Sequence, residues 1–283
     1  MTAYAPASAC GRGCLPRPDA VARAAWPTRL VRLACVVALL VCALGVAASM
    51  GILARDRQAM VVRTWFRALL RSCGVRLVVR GDQVMSEPGP MGTLVAANHV
   101  SWLDIPAVLA VEPVRVLAKT DVRTWPVLGV LAARAGTVFI DRRRLRRLPA
   151  TVAEIAAALR RGESVLVFPE GSTWCGRTQG RFYPATLQSA IDAGVAVRPV
   201  AVRYHLQDGT PTTVAAFVGD DTLLAAVWRV VATRGLAVEV EIGQPLSTQD
   251  ETRQSLATQV AATVNATVTG RGLLAPAGRT HLV

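Results

Sequence analysis

Lysine is almost missing from this 283-residue chain: Lys119 stands against 31 arginines. Acidic residues are few as well, 19 against 32 basic ones, which leaves a formal net charge of +13. That balance suits polyanions, whether nucleic acid or anionic lipid head groups. No Cys-x-x-Cys occurs among Cys10, Cys14, Cys35, Cys42, Cys73 and Cys175, and no histidine lies close to Cys10 or Cys14. This spacing excludes the usual zinc motifs and a disulfide framework, so the thiols read as free in a reducing compartment and no metal is expected. No Gly-x-Ser-x-Gly motif is present, which argues against a serine-type lipase. A helix-turn-helix signature and an aromatic-basic single-strand platform are both missing, so the charge alone does not make a specific nucleic-acid binder. There is no internal repeat, and no linker inside 75–270.

What is present begins with apolar residues, 52% of the chain, enough for a sizeable core. Leu33 to Ala54 carries no charge. As a helix rising about 1.5 Å per residue, this run is about 33 Å long and crosses a bilayer core of about 30 Å. A signal peptide and a buried core helix are the competing readings; the long basic region before the run disfavours the first, and its length disfavours the second. Arginines 12, 17, 23, 29 and 32 precede it and 55, 57, 63, 67 and 71 follow, so charge does not orient it. From Arg57 to Cys73 the pattern is amphipathic: Arg63, Arg67 and Arg71 form one stripe, with Val61, Trp65 and Leu69 opposite. Such a helix suits the membrane interface or packs on the domain as a surface helix.

From Val75 onward short apolar runs alternate with helical stretches. Strands are expected at Arg76–Val79, Thr93–Ala97, Val114–Ala118, Thr137–Ile140, Val165–Phe168, Val197–Val202 and Ala237–Ile242. Helices are expected at Leu103–Val111, Val122–Ala135, Leu148–Arg161, Pro184–Ala193, Thr222–Thr233 and Thr252–Thr267. The alternation implies an α/β fold, a largely parallel sheet flanked by helices, with an N-terminal membrane-anchoring helix. The expected organisation is a disordered basic tail over 1–28, a transmembrane or membrane-embedded helix over 29–54, an amphipathic interfacial helix over 55–74, the α/β domain over 75–270 and a loose tail over 271–283.

Four patterns end or follow predicted strands, where ligands collect in an open α/β sheet. The first is Asn98-His99-(x4)-Asp104. A carboxylate fixes the tautomer of an imidazole, which can then take a proton from a hydroxyl. Five residues apart on one helix the two would point about 140° apart, so His99 has to sit in the turn before the helix. Ser101 to Asp104 also reads as a helix-capping box. The second pattern is Gly136-Thr137-Val138-Phe139-Ile140-Asp141-Arg142, opening an arginine run. The third is Phe168-Pro169-Glu170-Gly171-Ser172-Thr173, and the fourth is Val197-Arg198-Pro199-Val200. His205 and His281 belong to no pattern and read as structural or solvated.

Together these patterns, over about residues 90–205, resemble the glycerolipid acyltransferase family, and in particular the 1-acylglycerol-3-phosphate acyltransferases. The resemblance implies transfer of a fatty acyl group from acyl-CoA, or from acyl carrier protein, to a lysophospholipid hydroxyl, with no cofactor. His99 is then the general base and Asp104 orients its ring. Arg142 meets the acceptor's phosphate, and Glu170, Gly171 and Thr173 belong to the acceptor-binding motif. Lysophosphatidic acid is the default acceptor and lyso-ornithine lipid an alternative. A non-catalytic lipid-binding protein on the same scaffold is a further alternative. The expected location is the cell membrane, on anionic lipid, with the catalytic domain facing the cytoplasm. The sequence departs from the family's commoner form in two ways: Ser172 intervenes before Thr173, with Arg177 or Arg181 as substitute basic partners, and Arg198 stands where an apolar residue is usual.

Overall fold

The computed structural model describes all residues except 1–5, 18, 50–52, 126–127, 142–143, 271–280 and 283. An apolar helix, α1 (Trp26–Ser49), is followed by α2 (Arg55–Ser72) and strand β1 (Arg76–Gly81). Then come β2 (Leu94–Ala97), α3 (Asp104–Val111), β3 (Arg115–Lys119), α4 (Leu128–Arg134), β4 (Val138–Ile140), α5 (Leu148–Arg160) and β5 (Val165–Val167). The chain continues with α6 (Gln188–Ala193), β6 (Val197–His205), α7 (Leu223–Ala232), β7 (Ala237–Ile242), α8 (Arg253–Val268) and a two-residue β8 (His281–Leu282).

The sheet order is β4-β3-β5-β2-β6-β7-β1-β8. The strands from β4 through β6 run parallel, so their carboxyl ends share one edge; β7 reverses against β6, and β1 is parallel to β7. Side chains alternate across the sheet with period two. Val95, Ala97, Leu166, Phe168, Val202 and Tyr204 enter a core with α1, α2, α3 and α7. Leu94, Ala96, Val165, Val167 and Ala201 enter the opposite core with α5, α6 and α8. Both faces of β2 are covered, which is why it reads as an unbroken apolar run rather than an alternating one.

Three expectations shift. The helix expected over Val122–Ala135 is split: Trp125 is extended (ψ 129°), as the residue before Pro126 must be, and α4 starts at Leu128. The first helix starts at Trp26, with Pro27 in its first turn, rather than at 29. The third concerns the tail. Cys10 and Ala24 are buried. The Ala24 N–H donates to the Ala232 carbonyl (2.9 Å), the Arg234 N–H to the Ala22 carbonyl (2.9 Å), and the Thr213 hydroxyl to the Cys14 carbonyl (2.7 Å). The described part of 1–28 is therefore docked on the domain, because it finds main-chain partners that its own composition does not announce.

The Trp26–Ala47 stretch has a mean hydropathy of 2.6. Only a stripe holding Val36 and Ala43 packs inward, while Val31, Val37 and Val41 stay 62%, 52% and 66% exposed. This is an apolar face that water does not favour. Helix α2 lies against α3, and the Arg67 guanidinium donates to the Ala110 carbonyl (2.9 Å). The arginine stripe of α2 is thus partly buried, not wholly on the solvent side.

Candidate active site

The turn between β2 and α3 is held from both flanks. The Asn98 side chain bridges to β6: its amide donates to the Val202 carbonyl (3.0 Å) and its oxygen accepts from the Val202 N–H (2.8 Å). The chain therefore leaves β2 at a fixed angle, and His99 falls before the helix, as its pairing with Asp104 requires. His99 Nδ1 lies 2.8 Å from Asp104 Oδ2, which also accepts from the N–H groups of Val100 (2.7 Å) and Ser101 (2.8 Å). Asp104 Oδ1 accepts from the Tyr204 hydroxyl (2.5 Å). Asp104 is the first residue of α3, but its carboxylate turns back onto the preceding loop and does not cap the helix.

These partners fix the protons. Asp104 is fully buried, and the Val100 and Ser101 N–H groups and the Tyr204 hydroxyl that face it are donors, so its carboxylate accepts from each. Burial, and then the charge of Asp104, push the Tyr204 hydroxyl well above its usual range, which keeps it a donor. Nδ1 of His99 therefore carries the proton and Nε2 the lone pair. The imidazole is 20% exposed and stacks on Phe168, with ring centroids 4.0 Å apart and 17° between planes. Among the described residues, Nε2 has no protein partner. A ring oriented in this way can accept a proton from a hydroxyl brought to Nε2.

The loop after β5 closes the site from the other side. Glu170 is buried, and its carboxylate accepts from the N–H groups of His99 (2.5 Å) and Gly180 (2.7 Å). The Trp174 N–H donates to the His99 carbonyl (2.7 Å). Gly180 leaves no room for a side chain, since a Cβ there would lie 2.2 Å from the Trp174 indole nitrogen. The Thr173 hydroxyl donates to the Phe217 carbonyl. Gly171 has φ +70°, and Pro6 of the N-terminal segment packs against it. Thus Glu170 and Thr173 are both engaged by main-chain groups of the protein, and they brace the loop that carries them. Arg177 and Arg181 are exposed. For Cys175, burial pushes the thiol up, but hydrogen bonds from the Thr178 hydroxyl and the Thr178 and Arg177 N–H groups outweigh it and bring its pKa to about 7.

Burial pushes the Glu170 carboxyl from 4.5 to about 7, against the pull of its two N–H donors and with a further push from Asp104. The folded chain therefore binds this proton more tightly than the unfolded one. Its contribution to stability is present at low pH and is lost as pH rises from 4.5 through about 7. Thermal melts across that window are expected to show a falling Tm in the wild type and a flatter profile in Glu170→Gln. Parallel profiles for the two proteins contradict the assignment.

The four sequence patterns end on one sheet edge, but they do not converge equally. β2, β5 and β6 are neighbours, and they bring His99, Phe168, Glu170 and Tyr204 together. β4 lies three strands from β2, about 14 Å at about 4.8 Å per step. Arg142, which follows β4, lies outside the described residues. Arg198 has a structural role. Its buried guanidinium pairs with Asp82 (2.6 Å) and Glu87 and donates to the carbonyls of Met85 (3.2 Å) and Gly243 (2.9 Å). Tyr204 belongs to no motif; its one sequence signal is its alternation with Val200 and Val202 in β6, which puts it on the face of α3.

The model of the family described as Acyltransferase matches residues 76–203. A lyso-ornithine lipid O-acyltransferase of Pseudomonas aeruginosa is 37% identical over 204 residues, covering 70% of this chain and 74% of that protein. A 1-acyl-sn-glycerol-3-phosphate acyltransferase of Neisseria gonorrhoeae is 43% identical over 152 residues, 54% of this chain and 59% of that protein. The crystal structure of the 1-acyl-sn-glycerophosphate acyltransferase of Thermotoga maritima superimposes with a TM-score of 0.67 at 21% identity, covering 87% of this chain and 95% of that one. That likeness establishes the α/β fold with its mostly parallel sheet.

Proposed function

The chain belongs to the acyltransferase family, and from that premise we propose that it moves a fatty acyl group from an acyl thioester, acyl-CoA or acyl carrier protein, to the hydroxyl of a lysolipid. The observation that carries this reading is the partly exposed His99 ring, held by a buried and fully bonded Asp104. His99 Nε2 takes the hydroxyl proton as the oxygen attacks the thioester carbon. The tetrahedral intermediate then collapses, the C–S bond breaks, and the leaving thiolate takes the proton back from the imidazolium. Asp104 stabilises that imidazolium without taking the proton. Transfer is direct. Ser101, the nearest candidate for a covalent nucleophile, is buried, and its oxygen accepts from the Leu103 N–H (3.2 Å).

The acceptor in this proposal is lyso-ornithine lipid. Relatives of that name match along longer stretches: 204 residues in Pseudomonas aeruginosa and 194 in Rhizobium meliloti. Lysophosphatidic acid is the second reading, favoured by the higher identity of the Neisseria relative over a shorter stretch. In either case Arg142, after β4, contacts the acceptor's anionic group. The exposed apolar face of α1 supports a membrane anchor, and the catalytic domain is placed on the cytoplasmic side in this proposal. Phe168 and Tyr204, which contact His99 and Asp104, lie on the sheet face packed with α1 and α2, and this supports entry of a lipid acceptor from that side.

Membranes holding the full chain, given labelled acyl-CoA and each lysolipid in turn, test the acceptor. The expected result is a kcat/KM for lyso-ornithine lipid at least about tenfold above that for lysophosphatidic acid. The opposite ranking overturns the acceptor, and no acylation of either overturns the reaction class.

A further inference from the structure

The fold brings together three cysteines from opposite parts of the sequence. The Sγ atoms of Cys10, Cys14 and Cys175 all lie within 4.8 Å of one another. Cys10 and Cys175 are buried, and Cys14 is partly buried. The Thr178 hydroxyl sits beside them, 3.3 Å from the Cys10 sulfur and 3.5 Å from the Cys175 sulfur. A tight turn, in which the Cys14 N–H donates to the Gly11 carbonyl (2.9 Å), folds Cys14 back toward Cys10. The expectation of no zinc site rested on sequence spacing. That spacing could not register a third thiol supplied by the loop after β5.

We propose that Cys10, Cys14 and Cys175 bind a zinc ion as three thiolates, with the Thr178 hydroxyl or a water in the fourth position. Zinc favours tetrahedral sulfur-rich sites with Zn–S near 2.3 Å, which sets sulfurs about 3.8 Å apart. The cluster needs an inward movement of at most about 1 Å to reach that spacing. Three thiolates select a soft or borderline metal over magnesium or calcium, and the hydroxyl offers the harder fourth ligand that zinc accepts. The ion ties the N-terminal segment to the loop after β5. That loop meets Pro6 at Gly171 and touches the His99 carbonyl through the Trp174 N–H. The zinc role is structural and is read without turnover, so it stands or falls apart from the acyl-transfer reading.

The test uses the full chain in detergent micelles, purified under reduction and without metal-affinity steps. Elemental analysis is expected to find one zinc per chain. After chelation, Co²⁺ titration of the wild type is expected to give thiolate-to-metal charge transfer with the visible bands of a tetrahedral site. Cys10→Ser and Cys175→Ser are each expected to lower Zn²⁺ affinity by more than about 100-fold, beyond the loss of an outer-sphere partner. Cys35→Ser and Cys42→Ser, exposed on α1, are expected to bind as the wild type does. Removing zinc is expected to speed proteolytic cutting before Trp26. The wild-type Co²⁺ spectrum needs no variant, so a misfolded substitution does not shield the proposal. It is overturned by reduced protein that binds no zinc, by two of the three thiols found as a disulfide without metal, by copper(I) taken where zinc is refused, or by zinc retained in a Cys10/Cys175 double variant.

Discussion

His99→Ala is expected to lower kcat for acyl transfer by roughly 10²–10⁴-fold, the usual contribution of a positioned general base, with little change in KM or Tm. The separation follows from the contacts. The turn is held by main-chain bonds, His99 N–H to Glu170 and Trp174 N–H to the His99 carbonyl, which alanine keeps. What the side chain loses is a stack on Phe168 and one bond to Asp104. A group that acts only when the proton moves lowers kcat and kcat/KM together. Steady-state kinetics in micelles, paired with a thermal melt, reads both; a wild-type kcat contradicts the base assignment.

Asp104→Ala is expected to be worse in two ways. Three N–H groups and one O–H lose their acceptor in a fully buried place. Unpaired buried donors cost about 1–3 kcal/mol each, so a stability loss of about 3 kcal/mol or more is expected, along with a fall in kcat of about 10³-fold or more. Asp104→Asn separates the two losses. Its carbonyl can meet the three N–H donors and its amide can donate to Tyr204, whose hydroxyl turns to accept. Most of the stability is then kept, and what disappears is the charge that stabilises the imidazolium. The expected outcome is a near-wild-type Tm with kcat still down about 10²-fold or more. If Asp104→Asn is as active as wild type, Asp104 only supports the turn.

The legible parts of this protein were local. The apolar run before Asn98 is β2, the helix signals after Leu103 are α3, and the five-residue gap between His99 and Asp104 closes because the turn lies between them. The strand-helix alternation gave the sheet because each element carries its own period. The illegible parts were contacts across long sequence distances. Tyr204 reaches Asp104 from a hundred residues away and carries no motif. Glu170 sits in a recognisable Phe-Pro-Glu-Gly pattern, but that its carboxylate bonds the His99 and Gly180 N–H groups follows only from the packing of β5 beside β2. Arg198, unexplained in the sequence, answers to Asp82 and Glu87. The described part of the basic N-terminal stretch lacks periodicity because it packs through short turns, such as that at Arg12–Cys14, and isolated main-chain bonds to the domain, which leave no sustained helical or strand pattern.

In the proposed reaction a His99-dependent proton transfer acylates a lysolipid hydroxyl. The most direct measurement follows purified full chain, lyso-ornithine lipid and labelled acyl-CoA by lipid mass spectrometry, with free thiol measured in parallel. The expected result is a product heavier than the acceptor by one acyl group, one free thiol released for each product formed, and loss of both signals in His99→Ala. Thiol release with free fatty acid as the only product, or undiminished product in His99→Ala, contradicts it.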